Sequence, residues 1–234
     1  MKNKEKNVYF LIIEIVAILL IVMGIFIILL PKFMNFLYEE NVKNIKENFV
    51  TETINNDKEN YEELYEELQK RNEALYNEKQ KDLKDPFSYE QPNINLKNYG
   101  LERNIIGFIS IPKINVELPI LLGANAENMK KGAVHLTETS YPIGGKNTNS
   151  VIAAHRGYGK AELFRNIHKL EINDEVNILN FREKITYKVV ETRIISPSDI
   201  DELLIQEGRD LITLVSCHPY RVNTQRYIVF CERI

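Results

Sequence analysis

The sequence predicts a mainly β domain with short helices, closed or nearly closed into a barrel and standing behind an N-terminal transmembrane helix and a helical spacer. Three observations carry this reading. Residues 8–30 are one unbroken apolar run; residues 31–84 are rich in Glu, Lys and Asn with a helical repeat. From residue 105 onward, short runs of β-branched and aromatic residues alternate with turn residues.

At 234 residues the chain has room for one or two domains, and a 44% hydrophobic content is enough for a packed core. A net charge of -3, from 30 Lys+Arg against 33 Asp+Glu, argues against a nucleic-acid partner, which would require a basic face. Two cysteines, Cys217 and Cys231, cannot build a disulfide framework or a four-thiolate metal site.

The apolar run VYFLIIEIVAILLIVMGIFIILL gives about 35 Å of helix, enough to cross a hydrocarbon core of about 30 Å. Its one charge, Glu14, lies near the N-terminal end. Leu29, Leu30, Pro31 and Lys32 offer no small-residue cleavage site, so the segment reads as a signal anchor that stays attached. Lys2, Lys4 and Lys6 precede the span, whereas Lys32, Glu39 and Glu40 follow it. The positive-inside bias then makes residues 1–7 a cytoplasmic tail and places everything after residue 31 outside the cell.

In the spacer, residues 31–84, Tyr61, Leu64, Tyr65 and Leu68 recur at helical spacing and form one apolar stripe. The stripe covers too few heptads for a coiled coil, so the segment reads as a helix with a solvated face. Asp85, Pro86, Phe87, Pro92 and Gly100 break helix, and residues 84–100 should cross a surface as an irregular loop. Strands are predicted over residues 106–111, 116–121, 150–155, 175–181, 185–195, 211–217 and 227–232, and helical patches over 163–170 and 198–204. Many short strands in so short a span fit a barrel.

The chemistry centres on a thiol. Residues 211–217 read as a buried strand ending in Cys217, followed by a loop and then by Arg226 at the start of the last strand. If the two strands pair as a hairpin, Cys217 and Arg226 lie together at the loop end, and a cation beside a thiol favours the thiolate. Cys231 would sit roughly 16 Å down the last strand, beyond the roughly 7 Å that a disulfide spans, so it reads as core packing. A thiol nucleophile needs a proton carrier. His218 follows Cys217 directly and should point away from it; His168 reads as a surface or packing residue. His135 in Ala133-Val134-His135-Leu136 could face inward. His155, at a strand-to-loop junction before Arg156 and Gly157, is the candidate that spacing favours.

Thr213-Leu214-Val215-Ser216-Cys217, with Pro219-Tyr220, Asn223-Thr224 and Arg226 downstream, closely resembles the signature of sortases, the cell-wall transpeptidases of Gram-positive bacteria. Ala154-His155-Arg156-Gly157, Ile106-Gly107 and Ile111-Pro112 resemble the other landmarks of the family, and the likeness runs from about residue 104 to 234. The resemblance implies a sortase-like closed barrel of about eight strands. It also implies Cys217 as nucleophile, His155 as general acid/base and Arg226 as the group that steadies the oxyanion and the substrate. The reaction implied is cleavage of an LPxTG-like sorting signal between Thr and Gly through a thioester, with transfer to an amine.

Asp85-Pro86-Phe87, about 20 residues before the barrel, resembles the lid of class C sortases, the pilus-assembling group. That likeness implies a lid and linker over residues 85–103, with Asp85 paired to Arg226 and Phe87 covering Cys217. An exposed pair of this kind contributes only about 0–1 kcal/mol, so the lid should open readily. Two features depart from class C: no second apolar span follows the last strand, and His218 stands where class C enzymes often have Thr. They leave a wall-anchoring sortase of another class as the alternative. The partners implied are sorting-signal proteins, pilins among them, an amine acceptor (a pilin lysine or a wall precursor) and the membrane. A non-catalytic, membrane-tethered peptide-binding module is the reading from a different class. Neither metal nor other cofactor is expected: Cys217, His218 and Cys231 lack zinc-ligand spacing, and Gly144-Gly145-Lys146 reads as a turn, not a nucleotide loop.

Overall fold

The computed structural model describes residues 2–234 apart from 56, 57, 82, 89, 90, 102 and 160. The side chains of residues 2–9, and with them Lys2, Lys4 and Lys6, lie outside the described ones.

Helix α1, Lys2–Asn55, runs through Pro31 without a break. Its N-terminal part is long and apolar enough to cross a membrane, and its side chains from Phe10 to Leu29 are largely exposed. Beyond the apolar run the same helix docks on the barrel with one face. Asn35 Oδ1 accepts from the Glu162 backbone N–H at 3.1 Å, and Tyr38 Oη donates to the Lys131 carbonyl at 2.8 Å. Val42 is buried, Lys46 pairs with Glu117, and Phe49 meets Phe108 edge-on at 5.5 Å.

Helix α2, Lys58–Glu78, carries the apolar stripe of the segment read as a spacer, and in the structure this stripe docks the helix on the barrel. Tyr61, Leu64 and Leu68 are buried in the common core, with Tyr65 partly buried against it. The Tyr61 ring lies 5.8 Å from that of Phe181, and the Arg182 guanidinium sits 3.9 Å over Tyr65. Polar side chains fix the helix further. Asn72 holds both backbone groups of Tyr141, and Gln80 donates to the Glu138 carbonyl while accepting from Ile205 N–H. A stripe of two turns is too short for a partner helix, yet it is long enough to cover a sheet face.

The barrel has eight strands: β1 Ile105–Ile111, β2 Val116–Leu122, β3 Ala133–His135, β4 Thr148–Ala153, β5 Glu175–Asn180, β6 Lys184–Ile195, β7 Asp210–His218 and β8 Gln225–Arg233. They close in the order β1-β2-β3-β4-β7-β8-β6-β5. The pairs β2/β3 and β4/β7 are parallel and the others antiparallel. Gly107 allows β1 and β5 to approach: a Cβ there would stand 2.4 Å from the Leu179 carbonyl oxygen. Strand β3 and the short helix α3, Ala126–Lys131, carry no periodic signal and escaped the sequence reading. The patch at 163–170 forms only a 3-10 turn, Ile167–Lys169, and that at 198–204 only Ile200–Leu203. Neither is long enough to repay helix nucleation.

His135, the second candidate as proton carrier, is buried inside the barrel, with Nε2 3.0 Å from the Ser140 carbonyl and its ring stacked on Tyr141. Burial pushes its pKa down to about 4. A folded-state pKa below the unfolded value means that the neutral form is favoured by folding, so stability is full above about pH 6.5 and is lost as pH falls toward 4. Between pH 7 and pH 5 this one group should cost about 2 kcal/mol. Denaturant unfolding of the detergent-solubilised chain should show that loss shrinking by about this amount in His135→Gln.

Candidate active site

The site is built where three strands end. Strands β7 and β8 pair antiparallel with Cys217 directly opposite Arg226, so both side chains project from the same face. Strand β4 runs parallel to β7 with Ala153 level with Val215, and the Ala154 N–H bonds to the Val215 carbonyl at 3.1 Å. Two residues further on, each chain presents its functional candidate, His155 and Cys217. His155 lies just past the end of β4, not within a strand. Its ring is stacked on Tyr158 at 5.1 Å and lies 5.9 Å from Phe87.

Asp85 reaches Arg226 across 141 residues of chain. Its Oδ1 accepts from Nε at 2.8 Å and its Oδ2 from Nη2 at 2.9 Å. The third nitrogen, Nη1, donates to the Asn223 and Gln225 carbonyls. The Phe87 ring lies 4.8 Å from the same guanidinium. This pair is not the exposed one expected: the side chains of Arg226 and Asp85 are only 9% and 19% exposed. The pair is therefore better shielded from solvent than an exposed one, and its two charge-assisted hydrogen bonds orient the Asp85 segment on Arg226.

Beside Cys217 a cleft of about 370 Å³ stays open, lined by His155, Arg156, Tyr158, Arg165, Tyr220 and Arg221 among others. Neither Asp85 nor Phe87 contributes to its walls.

The family model of the sortase domain matches residues 109–234, the stretch that holds the barrel from the middle of β1 onward and all three of these strand ends. The chain belongs to the sortase family. It is 31% identical to sortase D of Bacillus subtilis, with 55% of this chain and 63% of the relative covered. It is 30% identical to sortase A of Bacillus anthracis, with 66% and 72% covered. Among solved structures it is similar to a pilus-related sortase C of Group B Streptococcus, at 36% identity and a TM-score of 0.73, covering 81% of this chain and 96% of that one. Sortase C from Clostridium perfringens SM101 aligns at 31% identity and a TM-score of 0.69, covering 82% and 98%.

Within the sortase barrel, electrostatics differ from the sequence expectation. Arg226 does pull the Cys217 thiol toward ionisation, but burial pushes it up more strongly and the Asp85 carboxylate adds to the rise. Burial also lowers the pKa of His155. With Asp85 in place the pair therefore rests as neutral thiol and neutral imidazole. Cys231 is fully buried and pairs in register with Ile212, five residues from Cys217; both cysteines are free.

The sequence reading did not single out Arg156, Tyr158 or Arg165. Arg156 is buried, with Nη1 3.5 Å from the Cys217 carbonyl and 2.7 Å from His218 Nδ1. That contact gives His218 a place: the residue after Cys217 turns to Arg156 and Tyr227. Only the immediate succession of Arg156 after His155 hinted at it.

Asp85→Asn should shift the pH dependence of Cys217 labelling by a small thiol reagent to lower pH and raise its rate at pH 7, with Cys231 unlabelled as internal control. Peptide mass mapping of the labelled chain checks both.

Proposed function

We propose that this chain is a membrane-anchored cysteine transpeptidase that cleaves an LPxTG-like sorting signal between Thr and Gly and transfers the acyl group to a pilin lysine. In this reading α1 anchors the enzyme with its N-terminus in the cytoplasm and the barrel outside the cell. The observation that carries the reading is the register pair of Cys217 with Arg226, with a carboxylate already seated on the two guanidinium nitrogens that the reaction needs. Similarity to sortases C1 and C of streptococcal pilus systems supports the pilus assignment.

The segment Asp85-Pro86-Phe87 acts as a lid. Asp85 occupies Nε and Nη2 of Arg226, while Nη1 is tied to backbone carbonyls and holds the guanidinium in place. When the donor peptide displaces the lid, the two freed N–H groups face the scissile carbonyl. The Cys217 thiol passes its proton to His155 as its sulfur attacks the Thr carbonyl carbon, and Arg226 steadies the oxyanion. The C–N bond breaks as His155 delivers a proton to the departing glycine amine, leaving a thioester. An incoming amine then attacks the same carbon, His155 takes its proton, and the C–S bond breaks to return Cys217. Loss of Asp85 lowers the thiol pKa at the moment of lid opening, so the nucleophile is activated by the displacement itself.

A wall-precursor amine is the alternative acceptor, and similarity to sortases A and D is the observation in its favour.

With purified enzyme and a sorting-signal peptide, intact mass should show an acyl adduct on Cys217 that disappears in Cys217→Ala. Arg226→Gln should slow adduct formation by about 10²–10³-fold. Isopeptide-linked product with a pilin lysine segment, and none with a wall-precursor amine, is the expected outcome; the reverse assigns the enzyme to wall anchoring.

A further inference from the structure

Cys217 lies between the Asp85–Phe87 segment, whose Phe87 ring reaches Arg226 and, at 5.9 Å, His155, and a cleft that this segment does not line. The Arg226 side lies under Asp85 and Phe87. The cleft on the His155 side stays open with the lid in place, so it is available to a second reactant while the first occupies the lidded side. Three guanidiniums stand in it: Arg156, Arg165 and Arg221. Among the described residues none of its lining side chains is acidic, and none of the three arginines forms an ion pair. Glu162, the acid nearest to Arg165 in sequence, accepts from Asn166 Nδ2 instead.

Such a cluster opposes itself electrostatically and costs free energy unless something offsets it. Arg156 is partly offset, through backbone carbonyls and a His218 ring whose pKa is lowered by burial and by Arg156. Arg165 is not. Its Nε is buried without a hydrogen-bond partner, the kind of donor that a folded chain rarely leaves empty. Its guanidinium lies against Gly157, where a Cβ would come within 2.9 Å of Nη2 and 3.0 Å of Nε, so the absence of a side chain makes its seat. Tyr220 is flanked by two cations, with Arg165 Cζ at 5.5 Å from the ring and Arg221 Cζ at 5.2 Å. The ring holds both guanidiniums at the cleft through cation–π contact and leaves their N–H groups for a ligand.

We infer that this cleft is the acceptor subsite, and that Arg165 and Arg221 select an acidic peptide, one whose carboxylate side chains flank the lysine that attacks the thioester. The inference rests on the transpeptidase reading above. A carboxylate on Arg165 and Arg221 would hold the chain so that the lysine amine meets both His155, which lines the same cleft and takes the proton, and the acylated sulfur of Cys217. The carbonyl carbon gains a bond to nitrogen and loses its bond to sulfur, and the amine proton passes through His155 to the departing sulfur.

The test uses the full chain in detergent, a sorting-signal peptide as donor, and lysine peptides that differ only in flanking Asp against flanking Asn. Thioester on Cys217 is read by intact mass and isopeptide product by chromatography. The wild-type enzyme should use the Asp-flanked acceptor with a kcat/KM at least about tenfold higher, the scale of charge-assisted hydrogen bonds. The preference should weaken at high salt. In Arg165→Gln/Arg221→Gln it should fall to near parity, and Arg221→Glu alone, on an exposed loop, should lower it even if the double variant does not fold. Equal use of the two peptides by the wild type, a preference that survives both variants, or faster transfer to a wall-type amine without a flanking carboxylate overturns the acceptor assignment. Absence of thioester overturns the transpeptidase reading as well; a thioester that is aminolysed without charge preference overturns the acceptor assignment alone.

Discussion

The antiparallel register of β7 and β8 is the constraint on which the site depends. Side chains alternate along a strand, so a slip of one residue would turn either Cys217 or Arg226 to the opposite face and separate thiol from cation. The hydrophobic pattern enforces the register from below. Ile212, Leu214, Val215, Ile228, Val229, Phe230 and Cys231 are all buried, so the two strands are packed on both faces and a slip would force both to repack. The pairing of β4 with β7 then carries His155 to the same level, with Ser216 Oγ donating to the Ala154 carbonyl at 2.9 Å across the seam. Core packing thus sets the position of polar groups at the rim.

The Asp85 segment changes what that arrangement does at rest. An arginine next to a cysteine suggests a thiolate, but the carboxylate on Arg226 and the burial of the sulfur reverse the balance. A neutral, buried thiol resists oxidation better than an exposed thiolate. The same two guanidinium nitrogens serve the Asp85 carboxylate and, in the proposed mechanism, the oxyanion, so occupancy by one excludes the other.

The N-terminal helices are part of this body, not a tether. Asn35 bonds to Glu162, and Phe164 N–H bonds to the His155 carbonyl, so the loop that carries His155 is one short step from α1. Asn35 lies about 8 Å of helix beyond the end of the apolar run. A continuous helix docked through Tyr38, Val42, Lys46 and Phe49 fixes the barrel relative to that run far more tightly than a flexible linker would.

Seven of the eight strands and the apolar run were legible in the sequence, because short β-type runs bounded by turn residues and long apolar runs are local signals, and a specific motif singled out Cys217, His155, Arg226, Asp85 and Phe87 as candidates. Strand β3, with three residues, has no room for a period, and the stripe on α2 could state that one face is apolar but not what covers it. Local chemistry determined which groups are present: one thiol at a strand end, one imidazole at a junction, one carboxylate before a proline. Only the tertiary structure decided their ionisation, the burial of the Asp85–Arg226 pair and the gathering of Arg156, Arg165 and Arg221 into one cleft. Desolvation and charge–charge energies depend on distances between residues far apart in the chain, and those distances exist only once the barrel has closed.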